Sequence, residues 1–238
     1  MTIAPATVAE DLAPHGALRA SINLGNPVMA QGTPAAPAGV TVDIAREVAA
    51  RLGVPVEFVC FDAARKSYEA LTTGAADICF LAVEPAREKE VAFTAPYVVI
   101  EGVFAVPRDS SLRTVADVDS PGIRIGVKHG SAYDLYLSRT LRHATLVRGD
   151  EGVDVFRAQG LEAGAGIRQP LAAFAADHPE VRLVEERFME IRQAVGTAKG
   201  RRPESLSFLR GVIDELRTGD FVAESLRRAG HPATLVAR

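Results

Sequence analysis

The chain has 238 residues, 47% of them hydrophobic, enough for one large core or two modest ones. A net charge of −3 leaves no basic footprint of the kind nucleic acids require, so a nucleic-acid role is disfavoured. No stretch reaches the roughly 18 apolar residues of a membrane span, and the two cysteines, Cys60 and Cys79, sit in apolar runs that read as buried thiols rather than a disulfide or metal site.

From the N-terminus, residues 1–19 show neither a cationic start nor an apolar run, so no secretory signal is expected there. The elements that follow alternate between strand and helix signals, which predicts an α/β fold with parallel sheets. Leu18–Asn23, Val56–Phe61 and Ile78–Val83 read as strands. Between the first two, Ile44, Ala45, Val48, Ala49 and Leu52 form one stripe of a helix over 42–52 that Gly53 closes. The Pro- and Ala-rich segment 31–39 reads as a surface loop, and a helix over 65–73 ends at Gly74. Pro85 is suited to a first helical turn just past the third strand. Val98–Val106 is a long extended segment. Thr114 with Asp117, and Ser131 with Asp134, have capping-box spacing and mark helix starts near 115 and 132. Phe188–Val195 reads as a return crossing, followed by helices over about 206–218 and 220–229. Two crossings divide the chain into a discontinuous lobe, 1–100 with 192–238, and a second lobe, 101–191.

The third strand ends at the most informative stretch. Arg87, Phe93 six residues on, and then Pro96-Tyr97 resemble the ER(x5)F(x2)PY signature of the family 3 periplasmic solute-binding proteins, polar amino-acid receptors of ATP-binding-cassette importers. Leu18–Asn23 is similar to that family's first strand, and Gly39-Val40-Thr41-Val42-Asp43-Ile44-Ala45 to its GfdvDla element. Gly126-Val127-Lys128-His129-Gly130-Ser131 matches GV(x2)GT, and residues 193–200 match the strand returning to the first lobe. The resemblance implies a type II periplasmic-binding-protein fold, two lobes on a two-strand hinge, with ligand taken in the cleft between them. It also implies a monomer, no cofactor and a membrane permease as partner. The compartment implied is the periplasm, with the cytoplasm as the alternative because no signal is seen.

The carboxyl ends of parallel strands are where open α/β sheets bind ligands. Arg87 stands at such an end, and its planar guanidinium can grip a carboxylate with two hydrogen bonds. By resemblance it holds the ligand's α-carboxylate. Ser131 and Ala132 begin a capped helix whose amides suit an anion, and Lys128 ends the strand before them. Asn23 and Asn26 follow the first strand at family ligand positions; Asn26 and Ala64 stand where pocket aromatics are usual, so no aromatic sandwich is expected. Ala82, Val83 and Glu84 replace the hydroxyl residues that normally precede the arginine. Arg168 occupies the place of the aspartate that takes the ligand's ammonium, with a surface pair to an acid such as Glu162 as its ordinary alternative. Arg87, Lys128 and Arg168 together would favour a small anion, a dicarboxylate or keto acid, with Glu84 the one group able to accept an ammonium. The expected function is capture of a small carboxylate or amino-acid-like solute by hinge closure. The rival readings are an enzyme like cyclohexadienyl dehydratase, with Glu84 as general acid, or a cytoplasmic ligand sensor.

Overall fold

A computed structural model describes residues 3–238. In chain order the elements are α1 (Ala6–Leu12), β1 (Leu18–Asn23), β2 (Gln31–Thr33), β3 (Ala36–Ala38), α2 (Val40–Leu52), β4 (Val56–Phe61), α3 (Ala64–Thr72), β5 (Ile78–Ala82) and β6 (Val91–Pro107). There follow α4 (Val115–Val118), β7 (Arg124–Lys128), α5 (Ala132–Thr140), β8 (Thr145–Gly149), α6 (Gly152–Ala158), β9 (Ala163–Ile167), α7 (Arg168–Asp177), β10 (Val181–Leu183), β11 (Met189–Ala198), α8 (Pro203–Thr218) and α9 (Phe221–Arg228). The chain forms two compact units, one comprising the chain up to Val99 with Arg192–Arg238, the other Ile100–Ile191. Strands β6 and β11 carry the chain across the two boundaries.

In the first unit β1 lies between β4 and β5, parallel to both, with Leu18 opposite Val56 and Ala20 opposite Ile78. β11 closes this order antiparallel to β5, Gln193 facing Ala82 and Thr197 facing Ile78. β5 is buried along its whole length, as an uninterrupted apolar strand must be when both its faces are covered. One cover is a cluster of Leu71, Cys79, Leu81 and Val91, with Tyr68 and Phe93 against it. At the amino ends, buried Asp77 accepts from the Arg19 amide at 3.0 Å and from the Arg19 and Arg201 guanidiniums at 2.8 and 3.1 Å.

In the second unit β7 lies between β8 and β9, parallel to both, and β9 is antiparallel to β6 through Gly102–Ala105. β10 pairs with β6 at Ala105–Pro107. Helix α6 sits close on β7 and β9, and its Phe156 joins Val103, Ala105, Leu161, Leu171 and Val181 in the core.

Two local expectations are corrected. Residues 31–39 are not an irregular loop: β2 and β3 pair as a short hairpin, and the Gln31 side chain ties it to the carbonyls of Pro27 and Ala229 at 3.1 and 3.2 Å. No helix begins at Pro85. Residues 85–90 are successive turns, because only a short link joins the end of β5 to the start of β6. Among the described residues no helix is long and apolar enough to cross a membrane.

Candidate functional site

The first unit gathers five of the predicted residues at one end of its sheet. β1 and β5 run parallel with Ser21 opposite Cys79, so their carboxyl ends coincide. Asn23 ends β1 and folds back, its Oδ1 accepting from the Gly25 amide at 3.1 Å, an Asx turn. Asn26 is buried; its carbonyl accepts from the Met29 and Ala30 amides at 3.0 Å, while its Oδ1 has no hydrogen-bond partner. From β5 the chain passes through Ala82 to Glu84, whose carbonyl accepts from the Arg87 amide at 2.8 Å and the Glu88 amide at 3.0 Å. That turn directs Arg87 back over the strand end, where Nη1 donates to the Ala82 carbonyl at 3.1 Å.

Glu84 and Arg87 are 2% and 3% exposed, so two opposite charges are taken out of water within one turn. Burial lowers the Arg87 guanidinium below its ordinary value, and the carboxylate of Glu84 works against that. Within β5, burial pushes the Cys79 thiol up to about 12, which leaves it neutral and unreactive. Cys60 is half-buried, and both cysteines are free thiols.

The second unit gathers the other four. β7 and β9 run parallel with Gly126 opposite Gly164, which brings Lys128 and the start of α7 to the same end. Gly130, at φ 71°, turns the chain into α5. Ser131 caps that helix, accepting from the Asp134 amide at 3.0 Å, and Ala132 is its first residue. The capping box is not reciprocal here. Asp134 instead accepts from the Gly130 amide at 2.8 Å and pairs with Arg148 at 2.9 Å. At Thr114, by contrast, Asp117 completes the box in both directions.

The charges around this end are matched. Lys128 donates to Glu151, the residue that precedes α6. Arg168, the first residue of α7, pairs with Glu101 at 2.5 Å and donates to the Glu185 carbonyl at 2.8 Å. Glu101 also accepts from Arg187 at 2.9 Å; burial pushes its carboxyl up, but the two arginines hold it below the usual range. Glu162 is not the partner of Arg168. It belongs to Arg124, whose guanidinium and amide hold it down to about 2. Sequence reasoning missed Glu101 and Glu151, because each lies in an extended or loop segment with no motif around it. It also missed Tyr133, buried behind Ser131 with its hydroxyl pushed up by burial. Among the described residues no group of three or more His, Cys, Asp or Glu could hold a metal ion.

The profile of the bacterial extracellular solute-binding proteins, family 3, matches residues 20–227. The chain belongs to that family. No curated protein matches this family 3 chain. Among solved structures, the solute receptor for L-cysteine of Neisseria gonorrhoeae is 20% identical with a TM-score of 0.80, covering 97% of this chain and 99% of its own. A mutant of ArgBP from T. maritima is 22% identical with a TM-score of 0.77, covering 94% and 99%. The ancestral amino acid-binding protein AncCDT-1, a precursor of cyclohexadienyl dehydratase, is 21% identical with a TM-score of 0.75, covering 92% and 97%. At these identities the likeness is one of fold: this family 3 protein has the type II periplasmic-binding-protein architecture.

Proposed function

We propose that this family 3 protein binds a small solute bearing a carboxylate, an amino acid or a close analogue, and delivers it to the membrane permease of an ATP-binding-cassette importer. One observation carries the reading: the Arg87 guanidinium is almost wholly buried at the carboxyl end of β5, held by the Ala82 carbonyl and far from its preferred hydrated state. A cation in such a place gains most from a carboxylate that meets it with two hydrogen bonds. Asn23, Asn26, Ala82 and Glu84 complete the first unit's contribution; Lys128, Ser131, Ala132 and Arg168 make up the second's, and the ligand is captured as the two units close on it. The protein acts as a monomer, in the periplasm, without chemistry and without a cofactor.

Family membership supports solute binding, and fold neighbours that include an L-cysteine receptor and an ancestral amino acid-binding protein are consistent with an amino-acid ligand. The enzymatic alternative has one observation in its favour, the burial of Glu84, a carboxyl of the kind a general acid requires. The test is calorimetric titration with amino acids, dicarboxylates and keto acids, followed by analysis for product. Binding without turnover that Arg87→Ala abolishes is the expected result; product formation lost in Glu84→Gln would replace this reading with the enzymatic one.

A further inference from the structure

Resting on the reading of the turn after β5 as the ligand site, we propose that Glu84 recognises the ligand's α-ammonium, so that the solute is taken as a zwitterion and not as a bare anion. Three observations lead there. Glu84 and Arg87, 2% and 3% exposed, are buried together in one turn. A buried pair of opposite charges is commonly no more stable than an apolar pair of the same volume, so stability gives no reason to retain it. A ligand with a carboxylate and an ammonium uses both charges.

An unpartnered polar atom near that turn points the same way. Asn26, 6% exposed at the same end of the first unit's sheet, has an Oδ1 with no partner, and so lacks a donor. An ammonium offers three N–H donors, a carboxylate none. Nor does the second unit supply the surplus positive charge an anion would want. Lys128 is paired with Glu151, and Arg168 with Glu101 and the Glu185 carbonyl. Arg168 is therefore not a cation in need of an anion.

The experiment is titration calorimetry on the full chain with the proteinogenic L-amino acids and, for each that binds, its counterpart lacking the amino group: 3-mercaptopropionate for cysteine, 5-guanidinopentanoate for arginine, 6-aminohexanoate for lysine. The wild type is expected to prefer the amino acid by about 100-fold, the scale of a charge-assisted bond to a buried group. Glu84→Gln, which keeps the volume and removes the charge, should reduce that preference to within a few-fold by weakening the amino acid alone. Glu84→Asp should keep much of it. Because each preference is a ratio within one protein, a change in the folded fraction does not move it. An unchanged ratio in Glu84→Gln, or a wild type that binds both members of a pair equally, overturns the role of Glu84 and leaves carboxylate binding standing. A wild type that binds neither overturns the proposed function itself.

Discussion

Asp77, with 0% of its side chain exposed, is the residue on which the first unit's strands converge: it accepts from Arg19 of β1 and from Arg201 beyond β11, while its own carbonyl accepts from Thr197. Removing one partner of such a group leaves the others desolvated, so Asp77→Ala should destabilise the protein by about 3 kcal/mol in urea unfolding, with Asp77→Asn in between. A second residue-scale expectation concerns acid. The Glu162 carboxyl is held at about 2 by Arg124, against an ordinary value of 4.5. A depressed carboxyl adds stability that is fully present above its unfolded value and lost as pH falls toward the folded one. The loss should therefore fall between about pH 4.5 and 2, and Glu162→Gln should flatten that part of the stability profile by lowering stability at pH 7 while leaving it nearly unchanged at the acid end. Arg124 and Glu162 are both partly exposed, so added salt should shrink the effect. Little of this was legible in the sequence. Arg87 was, because it follows an apolar strand at motif spacing, and Glu84 because it departs from the residues usual before that arginine, whereas the carboxylates that hold Lys128 and Arg168 lie 23 and 67 positions away and only the fold brings them near.

Elements were read best where a local rule decides them. Helix α2 ends at Leu52 because Gly53, at φ 71°, takes the left-handed conformation that stops it. The hairpin of β2 and β3 was missed because its strands are three residues each and its anchor, the end of α9, lies 198 positions from Gln31. The turns after Pro85 were missed because a proline permits a first helical turn but cannot require one. Packing of α6 is likewise invisible locally. A Cβ on Gly126 would stand 2.5 Å from the Gly152 carbonyl oxygen, and one on Gly152 would stand 2.9 Å from that of Ala165. Neither backbone can yield cheaply, so Gly126→Ala should cost about 1–3 kcal/mol by overpacking. Since β7 ends at Lys128 and α6 begins after Glu151, the same change should separate that pair and weaken ligand binding. Hydrogen exchange provides the check: faster exchange across β7, β8 and β9, with β1 and β5 unaffected, is the expected pattern. Uniform acceleration in both units would show that α6 packing is not a local matter.

At the scale of the whole molecule, the second unit is an insertion in the first, and each has its own apolar core. Two cores joined through two strands can melt separately, and a ligand held by both would alter that. Ligand at 100 times its dissociation constant stabilises the state that binds it by about 2.7 kcal/mol, which for a chain of this size raises the melting midpoint by about 5–10 °C. If the solute is gripped by Arg87 alone, the gain belongs to the first unit and the second should melt where it did before. If Ser131 and its neighbours also hold it, neither unit can unfold without releasing the ligand, so both gain. Scanning calorimetry with and without the amino acid found by titration separates the two cases: a single transition moved upward as a whole is expected, and a shift confined to part of the heat absorption would assign the ligand to one unit. Arg87→Leu should abolish the shift in either case. Its unliganded midpoint should fall, because the variant leaves the Glu84 carboxylate buried without the guanidinium that shares its turn. An unchanged or raised midpoint would mean that the two charges do not compensate each other in the folded protein.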